Sequence, residues 1–139
     1  SHKEPQLGHV VVQLDVSGSI TADLMRKYVS HVEQVVGAAN PQKITILWTD
    51  TQVKRTQVIE WPEPCEIDHF ISQGGTNMEY GFKWVEENEM EDPAVFICIT
   101  DGYTNFTKAP SFPVIWCIDG EEGHVVPPYG TTIYINNYK

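Results

Sequence analysis

Residues 9–14 read H-V-V-V-Q-L, a nearly continuous apolar run that stops abruptly at Asp15-Val16-Ser17-Gly18-Ser19. Successive strand side chains point to opposite faces. A strand that is apolar at nearly every position must therefore be covered on both faces, as the central strands of a parallel sheet are. The run predicts such a strand, and its end delivers one carboxylate and two hydroxyls into a tight loop. A loop of that kind offers only hard oxygen ligands, which suit Mg²⁺, Mn²⁺ or Ca²⁺ rather than zinc.

The rest of the chain repeats the alternation of strand and helix. Thr21 to Ala39 carries Leu24, Tyr28, Val32, Val35 and Val36 at helical spacing. Ser19 or Thr21 is placed to cap its start, and Gly37 with Asn40-Pro41 to end it. Lys43–Thr49 predicts a second strand, and Gln52–Glu60 an antiparallel edge strand joined to it by a turn at Asp50-Thr51. Trp61-Pro62-Glu63-Pro64 is a loop, Glu66–Ile71 a short helix, and Ser72–Thr76 a Gly-rich loop. A further helix spans Met78–Asn88, followed by strands at Ala94–Thr100, Pro113–Ile118 and Thr131–Ile135. The expected fold is α/β: a doubly wound, Rossmann-like, mostly parallel sheet with an antiparallel edge strand. Only about a dozen residues, with Pro110 and Pro113 among them, separate the fourth and fifth strands, so that connection should be shortened or irregular.

The D-x-S-x-S spacing at Asp15, Ser17 and Ser19 resembles the metal-ion-dependent adhesion site (MIDAS) of von Willebrand factor A (vWA) domains. That pattern asks for a threonine in a second loop and an aspartate in a third. Gly74-Gly75-Thr76 and Thr100-Asp101-Gly102 supply them in order. The resemblance implies a metal site of Asp15, Ser17, Ser19, Thr76 and Asp101. Every one of these residues lies at or after the expected C-terminal end of a strand, where open α/β sheets bind ligands. Mg²⁺ takes near-octahedral oxygen at about 2.0–2.1 Å and keeps several waters. Gly18 lets the backbone turn between the serines. With hydroxyls in the inner shell the ion stays electrophilic, and the vWA resemblance implies that a carboxylate from a partner protein completes it.

Simpler readings exist for each piece. Asp15-Val16-Ser17 could cap the helix that follows, Thr76 could cap the helix at Met78, and Asp101-Gly102 is a common turn pair. Asp50 reads as a turn residue or a support to the site, and Asp119-Gly120 as a turn. The run E-E-N-E-M-E-D at 86–92 reads as a solvated helix end.

A closer resemblance rests on V-V-Q-L-D-V-S-G-S, W-T-D, Q-G-G-T, I-T-D-G-Y, P-V-I-W and P-P-Y-G. These segments look like the VWA-like domain at the C-terminal end of metallopeptidase-like proteins of bacteria and phages. That family carries an H-E-x-x-H segment in a preceding domain. This sequence contains none, so no peptidase activity is expected of it. By analogy of organisation, the resemblance also points to a MoxR-type AAA+ ATPase, or another domain of the parent protein, as partner.

Composition narrows the partner class. A formal net charge of −10 over 139 residues disfavours nucleic acid and anionic membranes. No apolar stretch approaches the ~20 residues of a membrane span. Ser1-His2-Lys3-Glu4-Pro5 is polar, unlike a signal peptide, and Ser1-His2 reads as a cloning remnant. Residues 1–8 are expected as a flexible segment before a domain at 9–139. Three cysteines, an odd count, suit a reducing, cytoplasmic location, with Cys98 and Cys117 as buried hydrophobes. Cys65 and His69 could begin a zinc site, but no second ligand pair follows. The competing function class is an enzyme, a Mg²⁺-dependent phosphotransferase or nuclease using Asp15 and Asp101. A dehalogenase-type phosphatase needs an aspartate where Ser17 stands. A two-metal nuclease would need Asp119 and Glu79 beside the other acids, and would leave the serines without a role.

Overall fold

The computed structural model describes residues 7–135. Residues 1–6 of the expected flexible segment 1–8, and the last residues of the expected domain, 136–139, lie outside them. Six strands and two helices follow in the order β1 (Leu7–Asp15), α1 (Ala22–Ala39), β2 (Pro41–Thr49), β3 (Val53–Glu60), α2 (Glu79–Asn88), β4 (Val95–Thr100), β5 (Val114–Ile118) and β6 (Thr131–Tyr134). They form one sheet of order β3-β2-β1-β4-β5-β6. Every neighbouring pair is parallel except β2 with β3. The expected α/β architecture and its antiparallel edge are both present. β1 takes in Leu7 and Gly8, ahead of the expected start at His9, because Leu7 already pairs with Pro41 of β2.

β1 is central because it is apolar on both faces. Val10, Val12 and Leu14 pack with α1 residues Met25, Tyr28, Val29 and Val32, all at most 2% exposed. Val11 points to the opposite layer, where Phe82 and Val85 of α2 meet Phe96, Cys98, Phe112 and Trp116. Gln13 is fully buried on that second side, and its amide donates to the Met78 carbonyl at 2.9 Å. A side chain at Gly81 would collide with the Gln13 amide, so glycine there lets α2 settle onto β1.

Thr21 caps α1: its hydroxyl accepts from Leu24 N at 3.1 Å. Asn40 ends the helix in the left-handed region, donating its N–H to Gly37 O. Thr21→Ala should therefore cost about 1 kcal/mol of folding free energy, measurable as a lower midpoint in urea at unchanged slope.

The short helix expected at Glu66–Ile71 does not form; residues 64–77 contain no helix. Side chains from two neighbouring elements take the backbone groups that a helix would pair internally. Gln57 of β3 brackets the segment, donating to Glu66 O and accepting from Asp68 N, both at 2.9 Å. Glu33 of α1 accepts from Ile67 N at 2.8 Å, and Ile67 is buried. The segment is a strap laid across β3 and α1.

The connection between β4 and β5 is irregular, as its length and prolines predict, with no helix between residues 101 and 113. Glu79, the first residue of α2, gathers it. Its carboxylate accepts from Thr107 N at 2.8 Å, Thr107 Oγ1 at 2.7 Å, Lys108 N at 3.0 Å and the Tyr129 hydroxyl at 3.1 Å. Burial alone would raise the Glu79 pKa, but these donors outweigh it and hold the carboxyl below its ordinary value. A carboxyl depressed in the folded state adds stability above its unfolded pKa, near 4.3, and loses it as pH falls through the folded value. Glu79→Gln should thus destabilise by about 1–2 kcal/mol at pH 7, with the deficit closing in acid. Urea unfolding of both proteins at pH 7 and pH 3 checks this.

Candidate metal centre

The sheet reverses its winding at β1. Its two neighbours, β2 and β4, are reached through connections on opposite faces. The crevice beyond the C-terminal ends of β1 and β4 is a topological switch point, where α/β sheets place their ligands. The Asp15-to-Ser19 loop leaves β1 there, and Asp101 leaves β4.

Asp15 is fully buried at the end of β1. Its Oδ1 accepts from Ser17 N at 2.9 Å, which bends the loop back, and its Oδ2 accepts from Thr100 Oγ1 at 2.7 Å. The Ser17 and Ser19 hydroxyls lie 3.5 Å apart, and Ser19 Oγ donates to Asp101 Oδ2 at 3.1 Å. The structure thus joins Asp15, Ser17, Ser19 and Asp101 into one cluster from two loops. Burial, together with the nearby Asp101 charge, raises the Asp15 pKa against the opposing hydrogen bonds from Ser17 and Thr100. A pair of carboxyls so placed favours a positive charge between them.

Thr76 sits on the Gly-rich loop, which is fastened on two sides. Gly18 N donates to Gly74 O at 3.0 Å, and Asn77 N donates to Asp50 O at 2.7 Å. The Thr76 side chain is half-buried, and its hydroxyl is not hydrogen-bonded to any of the other four residues. Nor does it cap α2. Met78 N donates to Thr104 Oγ1 at 2.7 Å, and Glu79 N donates to Asn77 Oδ1. Thr21, not Asp15 or Ser17, caps α1. The helix-capping readings of these residues therefore do not account for them.

Asp50, expected as a turn residue or a support to the site, stands at the turn and also holds the Gly-rich loop through Ser72 and Asn77. Its Oδ1 accepts from the N–H groups of Thr51 and Gln52, and its Oδ2 accepts from Ser72 Oγ at 2.9 Å. Burial would raise its pKa, yet these donors and the Lys54 charge together bring it below the ordinary value. A side chain at Gly74 would strike the Asp50 carboxylate, which explains a glycine where the loop passes the turn.

Three further residues at the crevice have contacts that the sequence did not foretell. Thr100 orients Asp15 and also accepts from Gly102 N at 3.1 Å. His124 reaches the loop through Nε2, 3.2 Å from Asp101 O, and stands edge-on to the exposed Tyr103 ring. Asp119, read as a turn residue, is 1% exposed and bonded to the Tyr28 hydroxyl at 2.6 Å. The buried position of Asp119 at the end of the apolar run 114–118 was the available signal.

Zinc chemistry finds no such setting. Cys65 lines α1 against Gly37, His69 is exposed, and among the described residues no three His, Cys, Asp or Glu side chains are grouped to hold a metal. The oxygen-bearing side chains that the crevice brings together are the Ser17 and Ser19 hydroxyls and the Asp15 and Asp101 carboxylates. Cys98 and Cys117 are buried free thiols, as expected; burial raises both, Cys117 to about 11.

Sheet order, switch-point crevice and D-x-S-x-S loop together define an α/β domain of the vWA type. A family model described as VWA-like domain (DUF2201) matches residues 10–136, and the chain belongs to that family. Among solved structures, an aerotolerance-related membrane protein from Bacteroides fragilis is similar, with a TM-score of 0.62 at 14% identity. The match covers 94% of this chain and 92% of that one, and at this identity it is a likeness of fold. Comparison with curated proteins returns no match.

Proposed function

We propose that this VWA-like domain is a divalent-metal-dependent protein-binding module, with Asp15, Ser17, Ser19, Thr76 and Asp101 as a MIDAS-type site for Mg²⁺, Mn²⁺ or Ca²⁺. The observation that carries the reading is the Ser17–Ser19–Asp101 cluster, which brings oxygen donors from two loops into hydrogen-bond contact at the switch point. When bound, the cation supplies a Lewis-acidic position for a carboxylate from a partner. Ser17 and Ser19 offer neutral hydroxyls to it. Asp15 and Asp101 balance its charge, and Thr76 is held on a loop tied to both neighbours. The acidic surface would repel an Asp or Glu of a partner, and the cation reverses that locally.

We place the domain in the cytoplasm of a bacterium or an infected host cell, as part of a larger protein working with a MoxR-type AAA+ ATPase. The family match supports a protein-interaction role in general terms, and no helix among the described residues is long and apolar enough to cross a membrane. The phosphotransferase or nuclease alternative is disfavoured by where its remaining acids stand. Glu79 is engaged by the 107–108 backbone, and Asp119 is turned to Tyr28. Capture from cell extract tests the reading. The partner should be retained in Mg²⁺ and released in EDTA and by Ser17→Ala. Equal retention in all three would refute it, and phosphatase or nuclease turnover lost in Asp15→Asn would favour the enzyme.

A further inference from the structure

Resting on the metal-centre reading above, we propose that Asp119 is a positioning residue of the site: a third carboxylate that strengthens cation binding by its charge, without being a ligand. Asp119 follows β5 directly, and its N–H donates to Thr100 O at 2.8 Å. Thr100 in turn donates its hydroxyl to Asp15 Oδ2 at 2.7 Å. One residue therefore separates Asp119 from the innermost carboxylate of the centre.

A structural role alone does not account for a charge at this position. Asp119 Oδ2 accepts one hydrogen bond, from the neutral Tyr28 hydroxyl. Its Oδ1 is buried and has no hydrogen-bond partner among the described residues. Tyr28 needs only an acceptor, which the carbonyl of an asparagine would supply equally well. A buried carboxylate with one neutral donor and one bare oxygen is costly unless something positive offsets it. Tyr28 cannot. Burial and the Asp119 hydrogen bond, followed by the charges of Asp119, Asp15 and Asp101, push its ionisation far above the ordinary phenol range, so it stays a neutral donor. Thr100 links Asp119 to Asp15, and Ser19 Oγ, 3.5 Å from Ser17 Oγ, links Asp101 to the loop that Asp15 begins, so the three carboxylates stand at the same end of the sheet. A divalent cation at Asp15 and Asp101 is the positive charge that all three would share. Because no three acids are grouped closely enough to ligate an ion, Asp119 acts at a distance, through its field and through Thr100.

Asp119→Asn separates the two roles, since it keeps the acceptor for Tyr28 and removes the charge. Isothermal titration with Mg²⁺ and with Mn²⁺ should show Kd about tenfold higher than wild type, as loss of an outer-shell partner does. The metal-free variant should melt at the same temperature as wild type or higher, because three buried carboxylates repel one another without the cation. Tyr28→Phe should do the opposite, lowering the metal-free melting temperature while changing Kd less than about threefold. If Asp119→Asn does not fold, Asp119→Ser carries the same expectation for Kd. Wild-type Kd in the neutral variants would overturn the inference alone, leaving Asp119 a partner of Tyr28 and nothing more. A wild-type protein that binds neither ion would overturn the reading of the centre and this inference with it.

Discussion

In Mg²⁺ at a hundredfold excess over Kd, the wild-type protein should gain about 2.7 kcal/mol of stability, and Asp101→Ala should gain nothing. For a domain of this size that gain is an upward shift of about 8 °C in melting temperature. Asp101 is singled out because it links the β4 loop to the serine loop, accepting from Ser19 Oγ at 3.1 Å, while its other oxygen accepts from Tyr103 N of its own loop at 3.1 Å. Without its carboxylate, the proposed site keeps the hydroxyls of Ser17, Ser19 and Thr76 and the Asp15 carboxylate but loses the charge on its β4 side. The metal-free proteins should both remain folded in EDTA, since the site crowns a core that is already complete on both faces of the sheet. Thermal melts of both proteins in Mg²⁺ and in EDTA read all four states. A wild-type protein that is unfolded in EDTA would mean that the metal is structural.

Phe82→Ala should be the most destabilising single change in the α2 layer, costing about 3–5 kcal/mol. The ring is 3% exposed and meets four others: Phe96 at 4.9 Å, Phe112 and Trp116 at 6.0 Å, and Tyr129 at 6.3 Å between centroids. Three of these contacts are edge-on, the geometry aromatic pairs prefer. Two of the partners, Phe112 and Tyr129, belong to irregular segments that lack a ladder of their own, so the cavity would loosen the connections on either side of β5 as well. Urea unfolding gives the magnitude. A cost below about 1 kcal/mol would show that the layer repacks.

The central strand, its loop and the order of the candidate-site residues were legible because each depends on local pattern. An apolar run buried on both faces ends in a loop of polar residues, and the same logic marks β4 and Asp101. The switch point then follows from the alternation of strands and helices. What escaped the sequence depends on partners far along the chain. Thr100 bonds Asp15, and Asp119 bonds Tyr28, across separations of 85 and 91 residues. Nothing near either residue announces its partner. The strap at 66–71 misled for the same reason: helical spacing was present, but Gln57 and Glu33 claimed the backbone groups a helix needs. The shortened connection before β5 was readable from its length and prolines. Its anchoring on Glu79 was not, because four donors from two distant segments make that site.

The central claim is that a divalent cation sits at the Ser17–Ser19–Asp101 cluster. Paramagnetic broadening by Mn²⁺ in amide-resolved NMR tests it most directly, because it reports the ion's position without a partner. Substoichiometric Mn²⁺ should first broaden the amides of Ser17, Gly18, Ser19, Thr76 and Gly102, and excess Mg²⁺ should restore them. The most acidic stretch of the chain, residues 86–92 at the end of α2, is the competing attractor. Broadening centred there, with the Ser17-to-Ser19 amides unaffected, would contradict the account.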